Sequence, residues 1–334
     1  MMQINNIVLV AAIAGMKGNP AFLNFIINRK KSLTKLALKG EYKYETKDVT
    51  GKKIEITESF TDSNGFKPYV ELLQTNIEVI ITCDSIELKD WEKKFDKILL
   101  IHHNPDAIRG FYKVIEKKLN YSELRSGDDN LLFEFYSLLK VKLCVYCNSQ
   151  HVILLQESKK ARLQADHNLP KSKYPCFSVS LANLYPTCNN CNHHKSDDDV
   201  NYRLYYKDKP RIDFKFSIPE LEIVDFFSSK IREETLTLNF DQGTTKLNDV
   251  LRITEIYANH KDYAADFMRK HKIYSKSYID SLSATFHKLF GSNPDQLKRM
   301  IFGTTLNEQE INQRAFSKLF IDLNKQLDEL KKSK

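Results

Sequence analysis

The chain reads as an α+β protein, mostly helical, in which a small zinc-stabilised core sits between N- and C-terminal helical segments. Three observations predict this. Apolar residues recur at three- and four-residue intervals through both ends of the chain. Two Cys-x-x-Cys pairs, Cys144/Cys147 and Cys188/Cys191, stand in the middle. Close to them the pattern turns short, β-branched and loop-rich.

Three segments follow from that pattern: 1–140, mixed and mostly helical; 141–210, the cysteine-rich centre; and 211–334, helical again. In the first, the apolar stretch Ile7 to Met16 is far too short to span a bilayer. No basic region precedes it, as a secretion signal would require. It therefore reads as a buried strand or the start of a helix. Asn19-Pro20 opens a helix carrying Phe22, Phe25, Ile26 and Leu33, with proline in the first turn where its missing N–H costs nothing. Lys43 to Thr57 alternates around Gly51 and predicts a hairpin. Pro105-Asp106 starts a helix through Ile108, Phe111, Ile115 and Leu119. A further helix from Asp129 to Lys140 sets Leu132, Phe135 and Leu139 on one face.

In the centre, His151 to Leu155 predicts a short strand, with Ala161 to Asp166 as its antiparallel partner. Leu169 to Ser180 holds Pro170, Pro175 and two lysines and reads as a loop. The second cysteine pair leads into a helix, with Asp197-Asp198-Asp199 as its solvated end. In the last segment Leu247 to Tyr257, Tyr263 to Leu289 and Glu308 to Leu330 carry helical spacing, punctuated by Pro294 and Gly303.

Hydrophobic content of 42% and charged content of 28% fit an ordinary globular chain able to bury a core. The formal charge of +8 suits a polyanionic partner without requiring one. Six cysteines are too few for a disulfide framework in 334 residues, and four of them are paired at metal-ligand spacing. This points to metal binding in a reducing compartment, hence the cytoplasm, with no membrane partner. Cys83 and Cys176 are left over and read as small buried hydrophobes, Cys176 being an alternative ligand by its closeness to the pairs.

Zinc prefers tetrahedral thiolate and imidazole ligands, and two Cys-x-x-Cys turns supply four sulfurs. Forty residues separate Cys147 from Cys188, wide for a simple zinc ribbon, so something must fold between them. That interval holds Asp166-His167 and Asn183. From Val141 to Pro210 ten Lys and Arg face six Asp and Glu, and several of the cations crowd the Asp-His pair. Lys159, Lys160, Arg162, Lys171, Lys173 and Lys195 are accordingly candidates for phosphate contact. His151 reads as a residue packing on the first cysteine turn, and His260, His271 and His287 as surface residues of amphipathic helices.

The run Asp166-His167-Asn168-Leu169-Pro170-Lys171-Ser172-Lys173-Tyr174-Pro175, followed by Asn183-Leu184-Tyr185-Pro186-Thr187-Cys188-Asn189-Asn190-Cys191-Asn192-His193-His194-Lys195, resembles the HNH endonuclease family. These are ββα-metal nucleases, and the resemblance covers about 55 residues with the first cysteine pair included. It implies a ββα-metal core closed by a structural Zn²⁺ on Cys144, Cys147, Cys188 and Cys191. It implies His167 as general base toward water, a task suited to its pKa. Asp166 would be a ligand of a catalytic Mg²⁺ or Mn²⁺, and Asn183 would fix the loop that carries His167, orienting the imidazole by hydrogen bonding. Asn192 stands where the family places its second metal ligand. Many members have histidine there, so His193 or His194 remains an alternative; adjacent helix residues point about 100° apart, and all three cannot face one ion. The implied substrate is DNA, with RNA cleavage served by the same residues.

Ile273 to Tyr278 and Arg314 to Leu319 look similar to bacterial HNH proteins of defence and restriction systems, which implies anti-phage action and a regulatory protein partner. The rival from another class is a non-catalytic zinc-bearing nucleic-acid-binding or scaffold module.

Overall fold

Leu9, Ala12, Ile13 and Met16 recur at helical spacing, and all four are buried. The first apolar stretch is therefore a helix, α1 (Asn6–Lys17), entered from a two-residue strand, β1 (Ile4–Asn5), with the Asn5 side chain accepting the Ile7 N–H. The computed structural model from which the fold is described covers residues 3–207, 214–290 and 294–332. Helix α2 (Pro20–Lys39) starts at Pro20 behind the Asn19 cap, as its sequence predicts. It stops at Gly40, whose φ of 66° is the left-handed value that glycine adopts without a Cβ clash.

The expected hairpin is β2 (Glu41–Lys47) with β3 (Lys53–Ser59), antiparallel. Two helices not singled out in the sequence follow, α3 (Phe66–Thr82) and α4 (Ser85–Asp96). The signal for α4 was present: Asp84 and Glu87 form a reciprocal capping box. Then come α5 (Pro105–Leu119), α6 (Tyr121–Ser126) and α7 (Leu131–Leu139). The hairpin packs on α5 through Tyr42, whose hydroxyl donates to the Ala107 carbonyl at 2.8 Å, while Phe66 and Phe111 stack at 4.6 Å beneath it.

In the centre, β4 (Ile153–Leu155) pairs with β5 (Lys160–Arg162). The sequence reading ran this partner on to Asp166, and the structure corrects it. Pairing ends at Arg162, and the next strand, β6 (Gln164–His167), pairs instead with β7 (Leu184–Thr187). Pro186 hides β7 in the sequence, because proline lacks a ladder donor. Here β7 lies at the edge of a two-stranded sheet, and the Pro186 carbonyl accepts from the Val145 N–H at 3.2 Å. Helix α8 (Asn189–Lys195) completes a strand–strand–helix unit.

Strand β8 (Tyr205–Tyr206) runs parallel to β1 and ties the chain start to the exit of that unit. Next come β9 (Lys215–Ser217), α9 (Glu220–Phe227) and β10 (Asn239–Asp241), with β10 antiparallel to β9. The run Leu247 to Tyr257 is two helices, α10 (Leu247–Leu251) and α11 (Ile253–Ala258), broken at Arg252 with φ of 54°. Tyr263 to Leu289 divides into α12 (Lys261–Ile273), α13 (Lys276–Thr285) and α14 (His287–Phe290). Ser275 caps α13 and marks the break. After α15 (Pro294–Phe302), the last run is a single 3₁₀ turn followed by α16 (Ser317–Lys332). Periodicity alone passes over such breaks, since the apolar face keeps its phase.

Buried apolar residues from all three segments join in one cluster. Among the described residues no single helix is long and apolar enough to cross a membrane.

Candidate functional site

The first cysteine turn follows α7. Asn148 takes a left-handed φ of 54° and donates its N–H to the Cys144 carbonyl at 2.9 Å, which curls the chain and turns both sulfurs inward. The second turn opens α8, where the Cys188 Sγ accepts the Cys191 N–H at 3.4 Å. The sulfurs of Cys144, Cys147, Cys188 and Cys191 lie within 4.8 Å of one another, and all four residues are buried. Hydrogen bonds from Cys144, Cys188 and Cys191 hold the Cys147 thiol well below its ordinary range. Four converging sulfurs, with Cys147 and, through its bond to Cys144, Cys188 favoured as thiolates, form a site able to hold a metal ion such as zinc. Cys83 and Cys176 are buried outside this cluster.

On β6, Asp166 faces Tyr185 of β7 in register and His167 faces Leu184. Asp166 is buried, and its Oδ2 accepts from the Tyr146 hydroxyl at 2.6 Å. Tyr146 lies inside the first cysteine turn, so that turn and the Asp-His strand are directly joined. Burial raises the Asp166 carboxyl, against the pull of Lys195 and Tyr146. His167 is half-buried, with its Nε2 2.9 Å from the Ser178 carbonyl. A carbonyl only accepts, so Nε2 carries the proton and Nδ1 keeps its lone pair. Burial pushes the imidazole down to about 4, and the nearby cations Lys171, Lys195 and Arg125 push the same way.

Asn183 is fully buried at the far end of the loop. Its Oδ1 accepts from the Leu169 N–H at 2.8 Å, and its Nδ2 donates to the carbonyls of Leu169 and Phe177, each at 3.1 Å. One amide thus clamps both arms of the loop whose Ser178 carbonyl holds His167. It touches the loop and not the imidazole.

On α8 the pattern is uneven. His193 and His194 are exposed, Asn192 is half-buried and Lys195 is fully buried. The Lys195 ammonium lies 3.2 Å from Asp166 Oδ2 and 3.1 Å from the His167 carbonyl. Lys195 was expected among the phosphate-contacting cations; the structure sets it instead under the Asp-His strand, because its stem lies on the inward face that also carries Cys191. Lys159, Lys160, Arg162, Lys171 and Lys173 are exposed.

Three neighbours carry no signal in the sequence. The ring of Tyr121 meets His167 edge-on at 4.8 Å. Arg125, also on α6, donates to Gln164 of β6 at 2.9 Å. The Ser178 carbonyl is a backbone group and carries no identity at all. His271, read as a surface residue, is buried against Asp328 at 3.0 Å. Compared with known protein families, with curated proteins and with solved structures, the chain finds no match.

Proposed function

We propose that this chain is a metal-dependent endonuclease of the HNH, ββα-metal kind, hydrolysing phosphodiester bonds in DNA. One observation carries the reading: a histidine with a lone pair free at Nδ1 stands beside a buried carboxylate, on a strand–strand–helix unit pinned by four cysteines. In that role His167 Nδ1 takes a proton from the attacking water, and the Ser178 carbonyl keeps the ring in the needed tautomer. A depressed pKa keeps the base neutral at working pH.

The donor chemistry fits a hard divalent cation, which is bound by one or two carboxylates with substrate phosphate filling the rest. Asp166 and Asn192 would hold it, and Lys195 would yield its place at the carboxylate. Asn192 is favoured over His193 and His194, because residues three apart on a helix share a face and Lys195 already reaches Asp166. When bound, such a cation stabilises the charge of the pentacovalent phosphate and the leaving 3′-oxygen. The exposed cations Lys159, Lys160, Arg162, Lys171 and Lys173 would steer the backbone. Zinc at the four cysteines, action in a bacterial anti-phage system, control by a protein partner and a cytoplasmic location belong to the same reading.

Supercoiled plasmid with Mg²⁺ or Mn²⁺ tests it, wild type beside His167→Ala. Loss of general-base catalysis should lower cleavage by about 10²–10⁴-fold. Equal nicking by both proteins would overturn the proposal in favour of a zinc-bearing binding or scaffold module. A parallel RNA panel decides the nucleic acid.

A further inference from the structure

A cleft of about 770 Å³ opens on the C-terminal side of the first cysteine turn, between α12, α15 and the segment leading into α16. None of its lining residues belongs to β6, β7 or α8, so it is separate from His167. Its size is in the range of small-ligand sites. Two features define its chemistry.

The first is charge. Four Lys and Arg side chains line it against two carboxylates. Both carboxylates are engaged: Asp266 by Arg269 at 3.0 Å, and Glu310 by Arg299 at 3.6 Å and the Thr305 hydroxyl at 3.2 Å. Among the described residues the side chains of Lys142, Lys270 and Arg314 have no carboxylate partner; the Arg314 guanidinium makes a 3.5 Å contact to the Gly303 carbonyl. Three uncompensated cations around one concavity favour an anion.

The second is a propped aromatic face. Tyr263 is 43% exposed, and its ring is backed edge-on by Phe316 at 5.2 Å and flanked by His260 at 5.2 Å. Phe316 is itself held at a left-handed φ of 62°, uncommon for a bulky side chain, by its N–H bond to the Asn148 carbonyl at 2.8 Å. A flat ring fixed from behind and open in front is a stacking surface.

We propose that this cleft binds a nucleotide unit, with its base stacked on Tyr263 and its phosphate held among Lys142, Lys270 and Arg314. The shared chemistry, a π-face joined to a phosphate, comes either as a free nucleotide or as part of a single strand. The inference does not need the nuclease reading, since none of the groups that reading uses lines the cleft.

The test uses the full chain with its metal retained, in a His167→Ala background so that nothing is cleaved. Anisotropy of a short fluorescein-labelled thymidine oligonucleotide is followed, with adenosine monophosphate and inorganic phosphate as competitors. Lys270→Glu with Arg314→Glu should weaken binding at least tenfold and flatten its salt dependence, each phosphate contact on a single strand contributing about 0.7 to the slope. Tyr263→Ala should weaken it about tenfold, and Tyr263→Phe, which keeps the ring, should restore it. Competition by the mononucleotide assigns the site to free nucleotides; variant-sensitive strand binding without that competition assigns it to a strand. No binding of either probe, or unchanged binding in the charge-reversed protein, overturns the proposal. So does inorganic phosphate competing as well as the mononucleotide. Because the readout is binding, absence of cleavage in the wild type would leave the result intact.

Discussion

Two lysine–aspartate pairs are fully enclosed among the described residues, and they are built differently. Lys318 and Asp322 lie one turn apart on α16, 2.8 Å from each other, with side chains 4% exposed. Asp322 spends its other oxygen on the Phe216 N–H at 2.9 Å, and the Lys318 N–H goes to Asn148 Oδ1 at 3.0 Å. Every group there faces a fixed protein partner. Lys195 and Asp166 come from different elements, a helix and a strand, and meet beside His167. Both pairs lean on one short turn, through Tyr146 on one side and Asn148 on the other. The same residue types thus serve as a brace where all partners are internal. Beside His167 the carboxylate is held by Tyr146 and the ammonium by the His167 carbonyl, and on the reading proposed above this is the carboxylate a cation would take. Burial alone does not separate the two roles; the neighbours do.

Removing the cluster they share gives the largest expected effect. Structural zinc in small domains contributes about 10–16 kcal/mol of apparent binding free energy, which acts as folding free energy. Cys144→Ser should release zinc, measured by elemental analysis, and should loosen both flanks of the turn. Hydrogen exchange should accelerate at β6 and α8 and also at the start of α16. Faster exchange on one flank alone would break the symmetry drawn between the pairs.

Replacing each pair by apolar residues of similar volume separates brace from site. Exchanging a buried ion pair for hydrophobic residues is often neutral to stability. Lys318→Met with Asp322→Leu should cost about 1–3 kcal/mol in urea unfolding, for the orphaned Phe216 N–H, and folded molecules should cleave at the wild-type rate. Lys195→Met with Asp166→Leu should fold and lose cleavage by about 10²-fold or more, the scale of removing a group that stabilises transition-state charge. Equal activity in the two double variants would erase the distinction.

Much of this was legible in the sequence, and the gaps have physical causes. The cysteine spacing announced a shared cluster, since four sulfurs on two tight turns have little else to do. Asn19-Pro20 and Pro105 marked helix starts because their φ angles and caps are local properties. Strand β7 was missed, since Pro186 argues against a ladder that only its edge position permits. His167 could be named, but its partners could not: Tyr121 arrives from α6, and Ser178 acts through its backbone. The burial of Lys195 is set by the seating of α8 on β6, whereas charge counting sees only the residue type.

The pH profile sharpens the site further. His167 is pushed down to about 4 by burial, so it is neutral above that value and charges only below it. The acid limb of kcat/KM should then fall between about pH 4 and 5, well under the ordinary histidine value near 6.5. The same shift bears on stability. Between about 6.5 and 4 the unfolded chain binds a proton that the folded one refuses, so this contribution is present above 6.5 and lost as pH falls toward 4. A kinetic limb at 6.5 would mean a water-exposed imidazole and would sever His167 from the enclosed pair beside it.

The smallest effect concerns the cations outside. Lys160 and Arg162 stand exposed on β5, whereas Lys195 is enclosed. A phosphate contact by an exposed cation releases counterions from the nucleic acid, so each one lost should lower the salt slope of DNA binding by about 1. Lys160→Gln with Arg162→Gln should therefore flatten that slope by about 2 and weaken binding alike for all sequences. Lys195→Gln should leave the slope unchanged, because an ammonium already neutralised by Asp166 displaces no counterion from DNA, and should alter instead the Mg²⁺ or Mn²⁺ concentration needed for half-maximal cleavage. Binding titrations at several salt concentrations, run beside metal titrations, read both quantities. A slope that moves with Lys195 would put that lysine on the DNA and dissolve the contrast between an enclosed and a solvent-facing cation.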